Sequence, residues 1–354
     1  MSRRPADSFR IDQRHSAMRM NRNVMVAGAT GLVGRTMIKI LEERNFPADH
    51  LVAVASERPE GRTVSFRGKK IGVTTLPAAL KEEPGIAFFS AGKDVSGTWA
   101  PLFVQAGWKV VDNSSCWRMS GNVKLVVPEI NGSLLSPDDR LVANPNCSTI
   151  QMVLALAPLH NRYRLQRIVA CTYQAVTGSG QKGVERILAE RKAWVAGNPL
   201  PLSGSVYPCP IDLNVIPDIG ALTPDGYTEE EIKMREETRK ILGDAKIGVS
   251  ATCVRVPVIA SHCVAVNARF AEPFSLEDVC SLIKSFPGLV LNDFSAGHGF
   301  AVPLEAEGTD TVYVGRIRRD PTEENTLELW TVADNLRKGA ALNAIQIGEL
   351  LLQF

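Results

Sequence analysis

The sequence has few cysteines, and none of them forms the close pairs that metal sites and small disulfide-bonded domains use. There are seven in 354 residues, an odd number, spread along the chain without a Cys-x-x-Cys pair. This spacing argues against a structural zinc site and a disulfide framework, and it favours a reducing compartment. We therefore expect a cytoplasmic protein without a metal centre.

The sequence also lacks a surplus of charge of one sign and a long apolar run. It has 40 Lys and Arg against 38 Asp and Glu, so it offers no broad basic face for nucleic acid or an anionic membrane. No apolar run approaches transmembrane length, and we see no hydrophobic signal segment. We expect neither a nucleic-acid partner nor a membrane partner. Residues 1–20, polar and rich in arginine, are predicted to be a disordered extension.

The first part of the chain alternates short apolar runs with amphipathic stretches. Unbroken apolar strands separated by helices are typical of a parallel sheet that is covered on both faces. The chain is longer than one typical core allows, which favours two domains. We predict an α/β protein with a Rossmann-type dinucleotide-binding domain and a second, α+β domain. Its first strands are predicted at 23–29, 50–56, 86–92 and 108–115, with a helix at 34–44.

The turn after the first predicted strand reads GATGLVG. Glycines between a strand and a helix let backbone N–H groups approach a pyrophosphate at the helix N-terminus. The spacing differs from G-x-G-x-x-G, and a tight turn without a ligand is the alternative. The flanking strand and helix count against that alternative. The predicted cofactor contacts are Gly28, Thr30, Gly31, Leu32, Val33 and Gly34 in this turn, and Ser90, Ala91 and Gly92 at a later strand end.

The end of the second predicted strand indicates which nicotinamide cofactor to expect. An NAD site places an acidic residue there to bind the ribose hydroxyls, whereas this chain has Ser56 and Arg58. A hydroxyl and a guanidinium suit a 2′-phosphate, so the sequence favours NADP. Glu57, between them, keeps NAD as an alternative.

Residues 144–149, NPNCST, place one cysteine directly after an Asn-Pro turn. Asn146 is a predicted N-cap, and Cys147 opens a predicted helix that ends near Pro158 or slightly beyond it. The N–H groups and dipole of a first helical turn lower the pKa of a thiol and make it more nucleophilic. On position alone, a small buried residue at a helix start is an equally good interpretation.

Residues later in the chain favour the nucleophile. Gln174 ends one predicted strand, Arg255 lies on another, and His262 begins a third. A reactive cysteine and a distant histidine form the pair expected for covalent catalysis with a general acid/base. Cys263 follows the histidine, but adjacent strand residues face opposite sides, so we expect no shared metal site.

Eight motifs in a fixed order resemble the aspartate-β-semialdehyde dehydrogenase family, in particular its bacterial-type branch. They are GATGLVG, FFSAG, DNSSCWRM, VVPEIN, NPNCST, TYQAVTGSG, RVPVIASH and DNLRKGAALNAIQI. The resemblance covers residues 22–354 and implies NADPH-dependent reductive dephosphorylation of L-aspartyl-4-phosphate to L-aspartate-4-semialdehyde. It places this reaction in lysine, threonine and methionine biosynthesis. It also implies a homodimer formed through the sheet of the second, catalytic domain.

The same resemblance implies the chemical roles. Cys147 would accept the acyl group as a thioester, His262 would be the acid/base, and Gln174 would orient the substrate or intermediate. The Ser179–Gly180 turn and Asn335 would lie near the nicotinamide.

The charged groups of the substrate also have matching residues. Arg118 and Lys233 match phosphate-binding cations, and Arg255 matches the clamp on the α-carboxylate. Glu230 is the candidate for the substrate ammonium group, and Asn146 lies beside the nucleophile as a further substrate contact. Each of the four charged residues has an ordinary alternative interpretation as a surface charge or a structural ion pair. That alternative is strongest for Glu230 and Lys233, whose helix looks exposed.

Two positions depart from the family pattern, and two other functions remain open. Ser261 and Val264 stand where the family usually has glycine and glutamate. N-acetyl-γ-glutamyl-phosphate reductase shares the chemistry but has a substrate without a free ammonium group. A non-catalytic, NADP-binding thiol sensor is the alternative from another class.

The expected division assigns 21–146 plus 334–354 to the NADP-binding domain and 147–333 to the catalytic and dimerisation domain. The resemblance implies that a final helix returns to the cofactor domain. The proline-rich loop 198–220 is expected to cover an interface or a neighbouring core. Strands of the second domain are predicted at 166–177, 249–256, 262–270 and 311–319.

Overall fold

The protein contains two β-sheets joined by a helix that begins at the candidate nucleophile. The computed structural model describes residues 23–55, 61–200, 204, 206–292 and 299–354. The predicted extension 1–20 and the cofactor discriminators Ser56, Glu57 and Arg58 lie outside the described residues, as do parts of the loop 198–220.

The first sheet has eight strands in the order β3-β4-β2-β1-β5-β6-β8-β7. All its pairs are parallel except β3 with β4, a hairpin that the sequence analysis missed. The strands are β1 (Asn23–Ala27), β2 (His50–Val54), β3 (Thr63–Phe66), β4 (Lys69–Thr74), β5 (Ile86–Phe89), β6 (Lys109–Asp112), β7 (Lys124–Leu125) and β8 (Leu141–Ala143). The helices between them are α1 (Leu32–Glu43), α2 (Leu76–Ala79), α3 (Lys93–Gln105) and α4 (Pro128–Asn131).

The predicted parallel dinucleotide fold is confirmed, with shorter strands. β1 and β5 end at Ala27 and Phe89 because the chain turns at Gly28 and beyond Ser90. Gly28 and Gly92 have φ values of 84° and 90°, in the left-handed region that glycine enters without strain. The residues that follow the strands are therefore available at the carboxyl edge of the sheet, where α/β proteins bind ligands.

The second sheet has six strands in the order β10-β9-β11-β14-β13-β12. Its long helices cover one face, whereas Val169 and Tyr173 are exposed on the other. The strands are β9 (Leu165–Gln174), β10 (Gly248–Arg255), β11 (His262–Phe270), β12 (Leu289–Asn292), β13 (Val312–Arg319) and β14 (Thr326–Ala333). The helices are α5 (Cys147–Tyr163), α6 (Gly180–Val195), α7 (Glu229–Leu242), α8 (Leu276–Ser285) and α9 (Pro303–Ala306).

The C-terminal segment is not one regular helix. Residues Arg337–Ala341 form a π-helical turn, and α10 (Leu342–Leu351) follows it. Buried residues of α10, including Ile345 and Ile347, pack in the same core as Val24 and Met37, so the chain returns to the first sheet as predicted. Among the described residues, no helix has the length and apolarity needed to cross a bilayer.

Candidate active site

The helix that carries Cys147 begins where the sequence predicted. β8 ends at Ala143, and the Asn146 side chain caps α5 by accepting from the N–H groups of Ser148 and Thr149, at 3.0 and 3.1 Å. Cys147 is therefore the first helical residue, beside N–H groups that have no partner one turn earlier. The helix continues through Pro158 to Tyr163, beyond the first predicted end.

The prediction that the helix start lowers the pKa of Cys147 is wrong for the free protein. Burial, followed by the negative charge of Glu230, raises the pKa of the thiol to about 11. Arg255, Arg118 and the N–H of Ser148 oppose these effects without cancelling them. Desolvation outweighs the helix dipole here because the thiolate would be formed in a low-dielectric site. The thiol is protonated at neutral pH.

Strand register brings three of the predicted residues into one row. Gln174, on β9 between β10 and β11, lies opposite Arg255 of β10 on one side and His262 of β11 on the other. Because paired residues of neighbouring strands project from the same face, the three side chains share one side of the sheet. The sheet thus assembles groups that are 88 residues apart in sequence, from Gln174 to His262.

The imidazole of His262 has a defined tautomer. Its Nδ1 accepts a hydrogen bond from the backbone N–H of Ala175 at 3.0 Å, so the neutral ring carries its proton on Nε2. Nε2 has no hydrogen-bond partner within the described part of the chain. Burial, followed by the charge of Arg255, lowers the pKa of His262 to about 3. The ring is neutral in the free protein and presents an N–H to the site.

Glu230 lies at the centre of the charged cluster, although its helix looked exposed in the sequence. Its carboxylate accepts from Asn146 Nδ2 at 2.7 Å, Gln174 Nε2 at 3.2 Å and Lys233 Nζ at 3.3 Å. Burial raises the pKa of Glu230, but Lys233 and the two amides outweigh it and hold the pKa below the usual range. A buried carboxylate that remains ionised is suited to binding a cation.

The two predicted arginines approach the cluster from different elements. Arg255 is buried and donates from Nη1 to the carbonyl of Ala175 at 2.7 Å. Arg118, in the loop after β6, is held by Glu237 and by the carbonyl of Asn113, both at 3.0 Å. Both guanidinium groups lie close enough to lower the pKa of the Cys147 thiol.

The glycine turn has the close packing and the open helix end that a pyrophosphate site needs. A Cβ on Gly28 would lie 2.3 Å from the carbonyl oxygen of Ser90, and one on Gly34 would lie 2.1 Å from that of Gly28. No described side chain caps α1, whose N-cap is Gly31. The first-turn N–H groups of Leu32, Val33 and Gly34 are thus free of side-chain acceptors, and α3 begins without a side-chain cap after Gly92.

The remaining predicted cofactor contacts connect this turn with the row of catalytic candidates. Arg35 of α1 donates to the carbonyl of Thr30 at 2.6 Å and to Gln181 at 3.4 Å, which places the Ser179–Gly180 turn near the glycine turn. Asn335 accepts from Thr177 at 3.1 Å and from the backbone N–H of Ser261 at 3.0 Å.

Sequence analysis missed four residues that support the cluster. Glu237 and Lys240 of α7 hold the Arg118 loop. Asn144 donates to Asn113 and accepts from Asn343, which connects the strand end before the nucleophile to α10. Gly339, in the π-helical turn, is close to the nucleophile, because a Cβ there would lie 3.0 Å from the Cβ of Cys147. The helical spacing of Glu237 and Lys240 from Glu230 was a signal for the first two.

The two departures from the family pattern have different structural settings. Ser261 has a φ of 68°, a conformation that favours glycine, and its buried hydroxyl has no partner among the described residues. Val264 is fully buried and packs in the core of the second sheet. No group of three or more His, Cys, Asp or Glu side chains capable of holding a metal occurs in the described ranges.

A parallel dinucleotide-binding sheet joined to a second sheet with this cluster is the architecture of a nicotinamide-dependent oxidoreductase. Residues 23–136 match the family model described as "Semialdehyde dehydrogenase, NAD binding domain", and residues 156–338 match "Semialdehyde dehydrogenase, dimerisation domain". The chain belongs to the aspartate-semialdehyde dehydrogenase family, as relatives that match 94% of the chain show.

Individual relatives and a solved structure support the same family. The aspartate-semialdehyde dehydrogenase of Aquifex aeolicus is 46% identical over 340 residues, which cover 94% of this chain and 99% of that protein. That of Bacillus subtilis is 41% identical, with coverage of 93% and 97%. The crystal structure of aspartate semialdehyde dehydrogenase II from Vibrio cholerae, complexed with ASA, has a TM-score of 0.89 at 40% identity and covers 94% of this chain and 99% of that one.

Proposed function

We propose that this protein catalyses the NADPH-dependent reductive dephosphorylation of L-aspartyl-4-phosphate to L-aspartate-4-semialdehyde, through a thioester on Cys147. One observation carries the assignment of the site. A cysteine at the start of a helix shares one cluster with a buried ionised glutamate, two arginines and a neutral histidine. Family membership supplies the reaction, and it places the enzyme in lysine, threonine and methionine biosynthesis.

The charges of the cluster complement those of the substrate. Arg255 is placed to bind the α-carboxylate, because its planar guanidinium is buried beside Gln174. Glu230 is the acceptor for the substrate ammonium, which would displace the hydrogen bonds that Glu230 now accepts. Arg118 and Lys233 bind the phosphate.

Acyl transfer to Cys147 exchanges phosphate for sulfur at the acyl carbon. The sulfur bonds to the acyl carbon, the carbon–oxygen bond to phosphate breaks, and the thiol proton ends on the departing phosphate. Gln174 and the Nε2–H of His262 donate hydrogen bonds to the acyl group, where negative charge develops. An anionic substrate raises the pKa of His262 from its value in the free protein, so the ring then serves as the acid.

NADP(H) is the proposed cofactor, and it supplies the hydride that reduces the thioester when it is bound. The glycine turn from Gly28 to Gly34 would hold the pyrophosphate on the N-terminus of α1, with Ser90, Ala91 and Gly92 against the same turn. Ser179, Gly180 and Asn335 would lie near the nicotinamide. Ser56 and Arg58 are the proposed 2′-phosphate contacts on the sequence argument alone.

The residues of the charged cluster also count against the two alternative functions. N-acetyl-γ-glutamyl-phosphate reductase acts on a substrate without a free ammonium, which leaves a buried ionised Glu230 without a function. A non-catalytic thiol sensor does not require the charges of Glu230 and Arg255 beside Cys147. The relatives with 40% identity or more are named as aspartate-semialdehyde dehydrogenases.

We also propose a homodimer built through the exposed face of the second sheet. Val169 and Tyr173 lie exposed there, and the ring of Tyr173 lies 5.4 Å from that of Trp330. An apolar, uncovered sheet face of this kind is typical of an interface. We assign residues 21–146 plus 334–354 to the NADP-binding domain and 147–333 to the catalytic and dimerisation domain. Seven free cysteines fit a cytoplasmic location.

The phosphorylating reaction tests the proposal in the reverse direction. L-aspartate-4-semialdehyde and phosphate should reduce NADP⁺, and NAD⁺ should be a poorer substrate. Cys147→Ala should abolish turnover while NADPH binding and the melting temperature stay close to those of the wild type. Cys116→Ala, which removes an exposed thiol, is the matched control and should be fully active. NADPH binding by the wild type without turnover would contradict the proposal.

A further inference from the structure

One face of α7 carries four charged residues with helical spacing. Glu230, Lys233, Glu237 and Lys240 are separated by three, four and three residues, so their side chains lie along one side of the helix. The proposed mechanism uses the first two. The other two have no role in it, yet Glu237 is only 1% exposed and Lys240 is directed at the loop that contains Arg118.

Glu237 divides its carboxylate between two segments of the site. Oε1 accepts from Nη1 of Arg118 at 3.0 Å, and Oε2 accepts from the backbone N–H of Asn146 at 2.6 Å. The first partner is the proposed phosphate-binding arginine, and the second is the residue directly before the nucleophile. One buried side chain thus fixes the distance between the phosphate site and the start of α5.

Lys240 holds the backbone of the same loop. Its Nζ donates to the carbonyl oxygens of Arg118 at 2.7 Å, Ser120 at 2.7 Å and Val123 at 2.8 Å. An ammonium group has three donors, and these carbonyls use all of them. α7 therefore restrains Arg118 at both ends, the guanidinium through Glu237 and the main chain through Lys240.

We propose that Glu237 is a positioning residue for phosphate binding, which acts by aiming Arg118, with Lys240 as its support. An unrestrained arginine side chain loses much rotamer freedom when it binds an anion, and restraint in the free protein removes that loss. The inference rests on the proposed role of Arg118.

Glu237→Gln is the most informative change, because it preserves the shape of the side chain. The amide keeps one acceptor oxygen but places an NH₂ group against a second donor, so one of the two hydrogen bonds must be lost. In the phosphorylating direction we expect the KM for inorganic phosphate to rise about tenfold or more. The KM for the semialdehyde should change by less than about twofold.

Glu236→Gln is the matched control. This neighbour lies on another side of α7 and pairs only with Arg235 and Arg239 in the described structure. It should leave both KM values unchanged. Lys240→Met provides a second test in case Glu237→Gln does not fold, and it should also raise the phosphate KM selectively. An equal rise in both KM values, or none, in the folded Glu237→Gln protein would overturn the proposal.

A double-mutant cycle with Arg118→Ala separates positioning from general stability. If Glu237 acts through Arg118, then Glu237→Gln should change the phosphate KM by less than about twofold in the Arg118→Ala background. An undiminished effect in that background would overturn the proposal while leaving the role of Arg118 intact. Arg118→Ala with a normal phosphate KM would instead contradict the proposed phosphate site, and the inference with it.

Discussion

The backbone N–H of Ala175 donates to Nδ1 of His262 over 3.0 Å, and this bond sets the tautomer of the ring. An imidazolium would carry a proton on Nδ1, facing another donor, so the bond adds to the burial that disfavours the charged form. Strand pairing produces the contact, because Ala175 follows the residue that lies opposite His262 in the sheet.

The pH dependence of the reaction should reflect this neutral ring. Since the pKa of His262 is about 3 in the free protein, kcat/KM for the semialdehyde should show no acidic limb near the ordinary histidine pKa of about 6.5. The acidic limb of kcat should lie at a higher pH than that of kcat/KM, because a bound anionic substrate raises the pKa of His262. Steady-state rates over roughly pH 5 to 9 provide the measurement. A limb in kcat/KM near 6.5 that disappears in His262→Gln contradicts the prediction.

The reactivity of Cys147 should depend on Glu230. Since burial and this carboxylate hold the thiol pKa near 11, the rate of alkylation by iodoacetamide should rise with pH without a plateau below about pH 9. Glu230→Gln removes the negative charge and should speed alkylation at a fixed pH by roughly three- to tenfold. Peptide-level mass spectrometry separates Cys147 from the exposed Cys116. Slower alkylation of Cys147 in Glu230→Gln would contradict the prediction.

Ser261→Gly should stabilise the protein. The substitution relieves a side chain at a φ of 68° and removes a buried hydroxyl that has no partner among the described residues. These gains exceed the entropy cost of glycine, and we expect a net gain of about 1 kcal/mol, or a rise of about 2–4 °C in the melting temperature. Asn325→Gly is the control, since asparagine tolerates its φ of 52°. A lower melting temperature for Ser261→Gly would show that the hydroxyl is bonded.

Gly339→Ala should impair the nucleophile more than the fold. The new Cβ would lie 3.0 Å from the Cβ of Cys147, so Cys147 must shift by a few tenths of an ångström. Small displacements of reacting groups are costly, and we expect kcat to fall by about tenfold or more, with a loss of stability of about 1–3 kcal/mol.

Gly348→Ala is the matched control for that change, in the same C-terminal segment. Its Cβ would meet the ring of Phe88 at 2.6 Å, in the core of the first sheet and not at the nucleophile. It should lower the melting temperature with little change in kcat of the folded enzyme. Equal kcat values for Gly339→Ala and Gly348→Ala would show that the contact of Gly339 with Cys147 has no special effect on catalysis.

The sequence analysis missed Glu237 and predicted the wrong direction for the pKa shift of Cys147 for the same reason. A run of charges such as TEEEIKMREETRK reads as an exposed helix, because local sequence does not show which side of a helix faces the interior. In the fold, Glu230 and Glu237 are buried by contacts from the N-cap of α5 and from the loop after β6. The same enclosure desolvates Cys147 and reverses the effect expected from its helix position.

Features that depend on neighbours along the chain could be predicted from the sequence. The alternation of apolar strands with helices predicted the parallel sheet, the glycine turn marked the open end of α1, and Asn146 capped the helix of Cys147. Which distant residues meet, and how much water they retain, depends on the folded arrangement of the two sheets. Strand register aligned Gln174 with Arg255 and His262. Burial then kept His262 neutral, because desolvation is a property of the assembled site and of no single segment.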